Sequence, residues 1–168
     1  MTRPQSDFDA LKQDLRNVYA GHPWHGASIT DVLTGVDADI AARRVSPHAH
    51  TIWELVLHMA VWAREVTSRV NGAAPKSPAE DWPVPRFGGG AAAWKAALDD
   101  LGAAQRELEK AVDAVKAEDL VKWIRDQRDP APDAGITMGS LIRGAIQHHV
   151  YHEGQLALLK RVASAETA

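Results

Sequence analysis

TIWELVLHMAVWAREVTSRV, residues 51–70, reads as an amphipathic helix. Leu55, His58, Met59, Trp62 and Val66 recur at steps of three and four and so share one stripe. His50 or Thr51 stands at its start, and Gly72 follows its end. A second stretch, MGSLIRGAIQHHVYHEGQLALLKRV at 138–162, has the same character, with Thr137 as its N-cap. Its stripe runs Leu141, Ala145, His148, His152, Gln155, Leu156 and Leu159. Both stripes are apolar except where histidines interrupt them.

Outward from these two segments the pattern stays helical. Phe8, Leu11, Leu15 and Val18 predict a first helix over residues 6–19, capped by Ser6 or Asp7. In GHPWHGASITDVLTG, residues 21–35, Ser28 can cap a short helix that stops at Gly35. Asp37 can cap another through Arg43, and Pro47 breaks the chain before residue 51. From Gly72 to Gly90 a connection holds four prolines and the Gly88–Gly90 run. Residues 91–116 form an alanine-rich helix, roughly 39 Å long at 1.5 Å per residue. Pro130 and Pro132 mark a loop before the last helix. No segment alternates for long enough to predict a sheet. The expectation is an all-α single domain over residues 1–168. It is a four-helix bundle with short extra helices after helix one. The long 72–90 connection allows helices two and three to run parallel.

Composition narrows the function. The chain has 168 residues, enough for one hydrophobic core. A net charge of -3 and a pI near 6.2 supply no general basic surface, so nucleic acid is not expected as a partner. With no cysteine, thiolate metal sites, disulfides and a cysteine nucleophile are excluded. Any metal must be held by His, Asp, Glu or water. The polar N-terminus lacks an apolar signal core, and no apolar run approaches the ~20 residues of a membrane span. The expectation is a cytoplasmic protein with no membrane partner.

The eight histidines then carry the chemistry. His22 and His25 lie in the loop after helix one, His48 and His50 before helix two, and His58 inside it. His148, His149 and His152 cluster in QHHVYHEGQ. Four residues apart, His148 and His152 sit about 40° apart around the axis, with Cβ atoms roughly 6 Å apart. Two imidazoles so placed can converge on one divalent ion, and His58 on another inward face supplies a third. His149 is a rival to His148, about 100° around the helix. The stripe shared with Gln155 favours His148. Glu153 follows His152 on a different face, so this is not the His-Glu-x-x-His pattern of metallopeptidases. Gln155 and Tyr151 are candidates for hydrogen bonding near the site. Trp53, Trp62, Trp94 and Trp123 read as core or interface residues. Trp24 in HPWHG and Trp82 in DWPVP sit in loops expected to border the mouth of the site, Trp24 above all.

HTIWELVLHMAVWAREV, GAIQHHVYHEGQLALLKR and YAGHPWHGAS together resemble the DinB-like (DinB/YfiT) metal-binding proteins, over about residues 17–161. The resemblance implies a four-helix bundle with a three-histidine site for a divalent metal, often as a homodimer. The family's ligand positions fall on His58, His148 and His152. Characterised members include thiol-dependent transferases and a mycothiol-dependent isomerase. The resemblance therefore implies a metal-dependent enzyme, a thiol-dependent transferase or a hydrolase, acting on an unidentified small molecule or a low-molecular-weight thiol. A non-catalytic metal-binding or stress-response protein is the alternative. Zinc or nickel leads as the ion, with iron or manganese also compatible.

Overall fold

The computed structural model describes residues 6–85, 90–126, 128–131 and 133–165. Gly88, Gly89 and Pro132, loop markers in the sequence, lie outside the described residues. The structure is mostly helical. Helix α1 spans Asp7–Ala20, and α2 (Ile29–Leu33) and α3 (Ala38–Ala42) follow as short helices. The long helices α4 (Ile52–Val70), α5 (Ala91–Ala114) and α6 (Met138–Ala165) complete the set.

The helix ends form where side chains satisfy the free backbone amides. Ser6, Ser28 and Asp37 cap α1, α2 and α3, each through its side-chain oxygen. Thr51, rather than His50, caps α4 and forms a reciprocal box with Glu54. At the other end of α4, the Gly72 amide donates to the Arg69 carbonyl and the Ala73 amide to that of Ser68. That pairing needs the positive φ of 92° that Gly72 adopts. Thr137 Oγ1 accepts from the Ser140 amide at 3.2 Å and starts α6.

The core is shared by all of these helices. Leu15, Ile29, Ile52, Leu55, Met59 and Leu108 are fully buried within it. Helix α4 packs along both α5 and α6, and α1 packs along the same two. Among the described residues no helix is long and apolar enough to cross a membrane.

One expectation is overturned, because a sheet is present. Strands β1 (Trp123–Arg125) and β2 (Gly135–Thr137) pair antiparallel, with Ile124 opposite Ile136. Each is only three residues long, too short for alternation to be read from sequence. At Gly135 a Cβ atom would lie 2.4 Å from the Ile124 carbonyl oxygen, so the close approach of the strands requires glycine there.

Candidate metal centre

Two helices and one loop build the site. As α4 advances from His58 toward Arg69, its neighbours on α6 step back from His152 toward Leu141, so the two helices run in opposite directions. His58 on α4 and the His148–His152 pair on α6 meet where they cross. Their ligand atoms all lie within 4.8 Å of one another. His148 Nε2 is 3.1 Å from His58 Nε2 and 3.1 Å from His152 Nε2. Nitrogens held about 2.0–2.1 Å from one ion at adjacent octahedral or tetrahedral positions are about 2.8–3.4 Å apart. The two nitrogen–nitrogen distances fit that spacing.

The outer nitrogens are also fixed. His58 Nδ1–H donates to the Asp81 carbonyl at 2.7 Å, and His152 Nδ1–H donates to Gln155 Oε1 at 2.8 Å. These bonds commit both rings to the tautomer with a bare Nε2 aimed at the centre. Asp81 is held in turn by Trp62, whose Nε1–H donates to its carboxylate at 2.6 Å.

Burial keeps the imidazoles neutral. It is the largest cause of the lowered pKa of His58, His148 and His152, and neighbouring imidazoles add to it. His148 is pushed down to about 3. A neutral imidazole with an inward lone pair is the form that binds a cation.

The loop after α4 forms the roof. Trp82 lies between two imidazoles, 3.8 Å from the His58 ring and 3.6 Å from the His50 ring, nearly parallel to both. His50 is steadied by Glu54, with Nδ1 at 3.3 Å from the carboxylate. Burial raises the pKa of Glu54, but the Thr51 amide and Arg44 outweigh it, so this carboxyl sits below its ordinary range. The capping box of α4 thus also anchors the stack that covers His58.

Two cavities flank the histidines. His148 borders one of about 200 Å³ between α4 and α6. His152 and Trp82 border another, of about 370 Å³, which Tyr151 and Gln155 also line.

The structure bears out the expectation for Trp82 at the site but gives Trp24 no such place. Trp24 is fully exposed, at 102%, and lines neither cavity beside the histidines. Its loop reaches α6 through His25, whose Nδ1 is 3.3 Å from Glu153. The segment between α4 and α5 crosses to the site and supplies Trp82. Trp53 and Trp94 are buried, while Trp123 is 53% exposed. Tyr151 is exposed, with its ring centroid 5.0 Å from that of His152.

His149 does not join the cluster. Fully buried, it places Nε2 3.0 Å from Gln105 Oε1 on α5. The Gln105 amide nitrogen donates to Glu109 and to the Leu15 carbonyl, so its oxygen is left to accept from His149 Nε2–H. His149 Nδ1 has no hydrogen-bond partner among the described residues. Burial, then His152, pushes its pKa down to about 4. Asp81, Gln105 and the His50–Trp82 stack escaped sequence reading. Only the position of Asp81 beside Trp82 hinted at any of them.

No curated protein and no solved structure matches the chain. The family model described as the DinB superfamily matches residues 24–156, a span that includes all three clustered histidines. With most of its length matched, the chain belongs to the DinB superfamily.

Proposed function

We propose that His58, His148 and His152 hold one divalent metal ion, and that the protein is a metal-dependent enzyme of the thiol-dependent transferase or hydrolase type. The observation that carries the reading is a shortage of protons. With Nδ1–H committed on both His58 and His152, their Nε2 atoms are acceptors. His148 Nε2 can donate a single proton, so it satisfies one of its two contacts and leaves the lone pair of the other histidine without a donor. A buried polar group without a partner is costly. One cation satisfies all three nitrogens.

Three neutral ligands suit zinc or nickel first, and iron or manganese with additional waters. Such an ion supplies Lewis acidity that makes water or a thiol a stronger acid near neutral pH. The chain's own residues bind and orient. Asp81 and Gln155 hold the tautomers, and Trp82 shields His58 from solvent.

The fold belongs to the same proposal, as a four-helix bundle of α1, α4, α5 and α6. In support, Trp53 meets Trp94 near the starts of α4 and α5, and Arg64 meets Asp100 farther along both. That order favours parallel second and third helices joined by the long connection. A homodimer and a cytoplasmic location complete the reading and rest on the family resemblance and composition.

Metal content tests it directly. Purified wild type is expected to carry one ion per chain by elemental analysis, and His148→Ala to lose it while remaining folded. Undiminished metal in His148→Ala refutes the ligand set. Turnover assays with and without low-molecular-weight thiols then separate a transferase from a hydrolase.

A further inference from the structure

The cavity of about 200 Å³ beside His148 has a composition that the metal reading does not use. Its walls are Trp62 and Val66 of α4, Leu141 and Ala145 of α6, and Ile136 of β2. Along its wall α6 presents no side chain at Gly144 and only a methyl at Ala145. A cavity of about 150 Å³ lined by apolar side chains holds a benzene ring. This one therefore has room for one ring or a short branched chain.

Its polar rim offers no unbalanced charge. The Arg69 Nε–H donates to Glu65 at 2.9 Å, and its Nη2 to the Lys76 carbonyl at 2.9 Å. At the inner end His149 Nε2 is already paired with Gln105, and His148 Nε2 faces His58 and His152. A charged guest would find no partner there, whereas an apolar one removes Trp62, Val66 and Leu141 surface from water. The His148 ring is common to the cavity and the centre. The Trp62 and His148 rings stand 6.0 Å apart, and the same His148 ring presents Nε2 to His58 and His152.

We propose that this cavity receives the compact apolar group, aromatic or branched aliphatic, of a small molecule whose polar end is presented to the three-histidine centre. The proposal rests on the metal reading above and adds the substrate's chemical class and its side of approach.

Zinc uptake by metal-free wild type is measured first by calorimetry. Acetohydroxamate and phenylacetohydroxamate share a chelating head and differ by a phenyl ring. On zinc-loaded wild type the phenyl compound is expected to bind at least about tenfold tighter. Two substitutions block the cavity. In Gly144→Leu the added Cβ meets no atom within 4 Å, so the side chain enters open space. Ile136→Trp crowds the cavity from its exposed wall. In each the phenyl advantage is expected to fall below about threefold with zinc affinity unchanged. Equal binding of the two compounds by wild type overturns the proposal, as does an advantage that survives both substitutions. Failure of wild type to take up zinc is instead a failure of the metal reading. In that case toluene binding to the metal-free protein, followed by ligand-observed NMR, decides the cavity. Binding that is lost in Gly144→Leu supports it, and no binding overturns it.

Discussion

Replacing Gln155 with leucine tests whether the hydrogen bonds around the histidines serve a metal. Gln155 Oε1 accepts from His152 Nδ1–H at 2.8 Å, one turn along α6. Leucine keeps the bulk and removes the acceptor. The His152 ring is then free to carry its proton on Nε2, the atom aimed at the centre, and must give up that proton to bind a cation. Loss of such an outer partner typically weakens metal binding 10–100-fold, about 1.4–2.7 kcal/mol. The bond is only partly buried, so the lower half of that range is expected. Zinc competition against a chromophoric chelator at pH 7.5 measures it. Stoichiometry should stay at one per chain, and Gln155→Glu, which retains an acceptor, should restore affinity to within about threefold. Wild-type affinity in Gln155→Leu refutes the claim that Gln155 orients a ligand.

Acid should destabilise the metal-free protein early. His148 and His149 titrate at about 3 and about 4, below the value near 6.5 of an unfolded histidine, so between those limits the unfolded chain takes up protons that the folded chain does not. Stability is therefore expected to be flat above pH 6.5 and to fall by up to about 1.4 kcal/mol per pH unit per imidazole below it. A urea midpoint that does not change between pH 7.5 and 4.5 contradicts this. Gln105→Leu strands the buried His149 Nε2–H and should cost about 1–3 kcal/mol in urea unfolding, with a coupling to His149→Leu of about 1 kcal/mol; additivity within about 0.3 kcal/mol would show that the bond is idle. For the proposed homodimer, light scattering at micromolar concentration should report twice the 18.2 kDa chain mass, and a lone monomer counts against it.

The long helices were legible because their apolar residues repeat every three or four positions, and the helix starts other than that of α5 because Ser6, Ser28, Asp37, Thr51 and Thr137 are short oxygen-bearing side chains. Long-range pairing left no such trace. The β1–β2 pair is made by three register contacts across a loop, which no local pattern encodes. The greater weight on Trp24 than on Trp82 fails for a related reason. The loop bearing Trp24 is nearer in sequence to the start of α4, but proximity along the chain does not set where a loop folds. The segment after α4 is tied to the site by two adjacent residues. Asp81 bonds to His58 and Trp62, and Trp82 stacks on His58 and His50.

The choice between His148 and His149 shows what periodicity can resolve. The two positions are about 100° apart, and a helix with a narrow buried stripe would expose one of them. Helix α6 is instead packed against α1, α2 and α4, so its buried arc is wide enough to enclose both. Position 148 faces His58 on α4, and position 149 faces Gln105 on α5. Gln155 was the reason to favour His148, but it acts on His152. The adjacent pair divides two tasks along one turn of helix. His149, bonded to Gln105 inside the core, resists rotation of α6 about its axis. Rotation by one residue would swing His148 away from His58 and break the 3.1 Å contact between them. The buried bond at 149 therefore sets the angle at which 148 and 152 meet the histidine of α4.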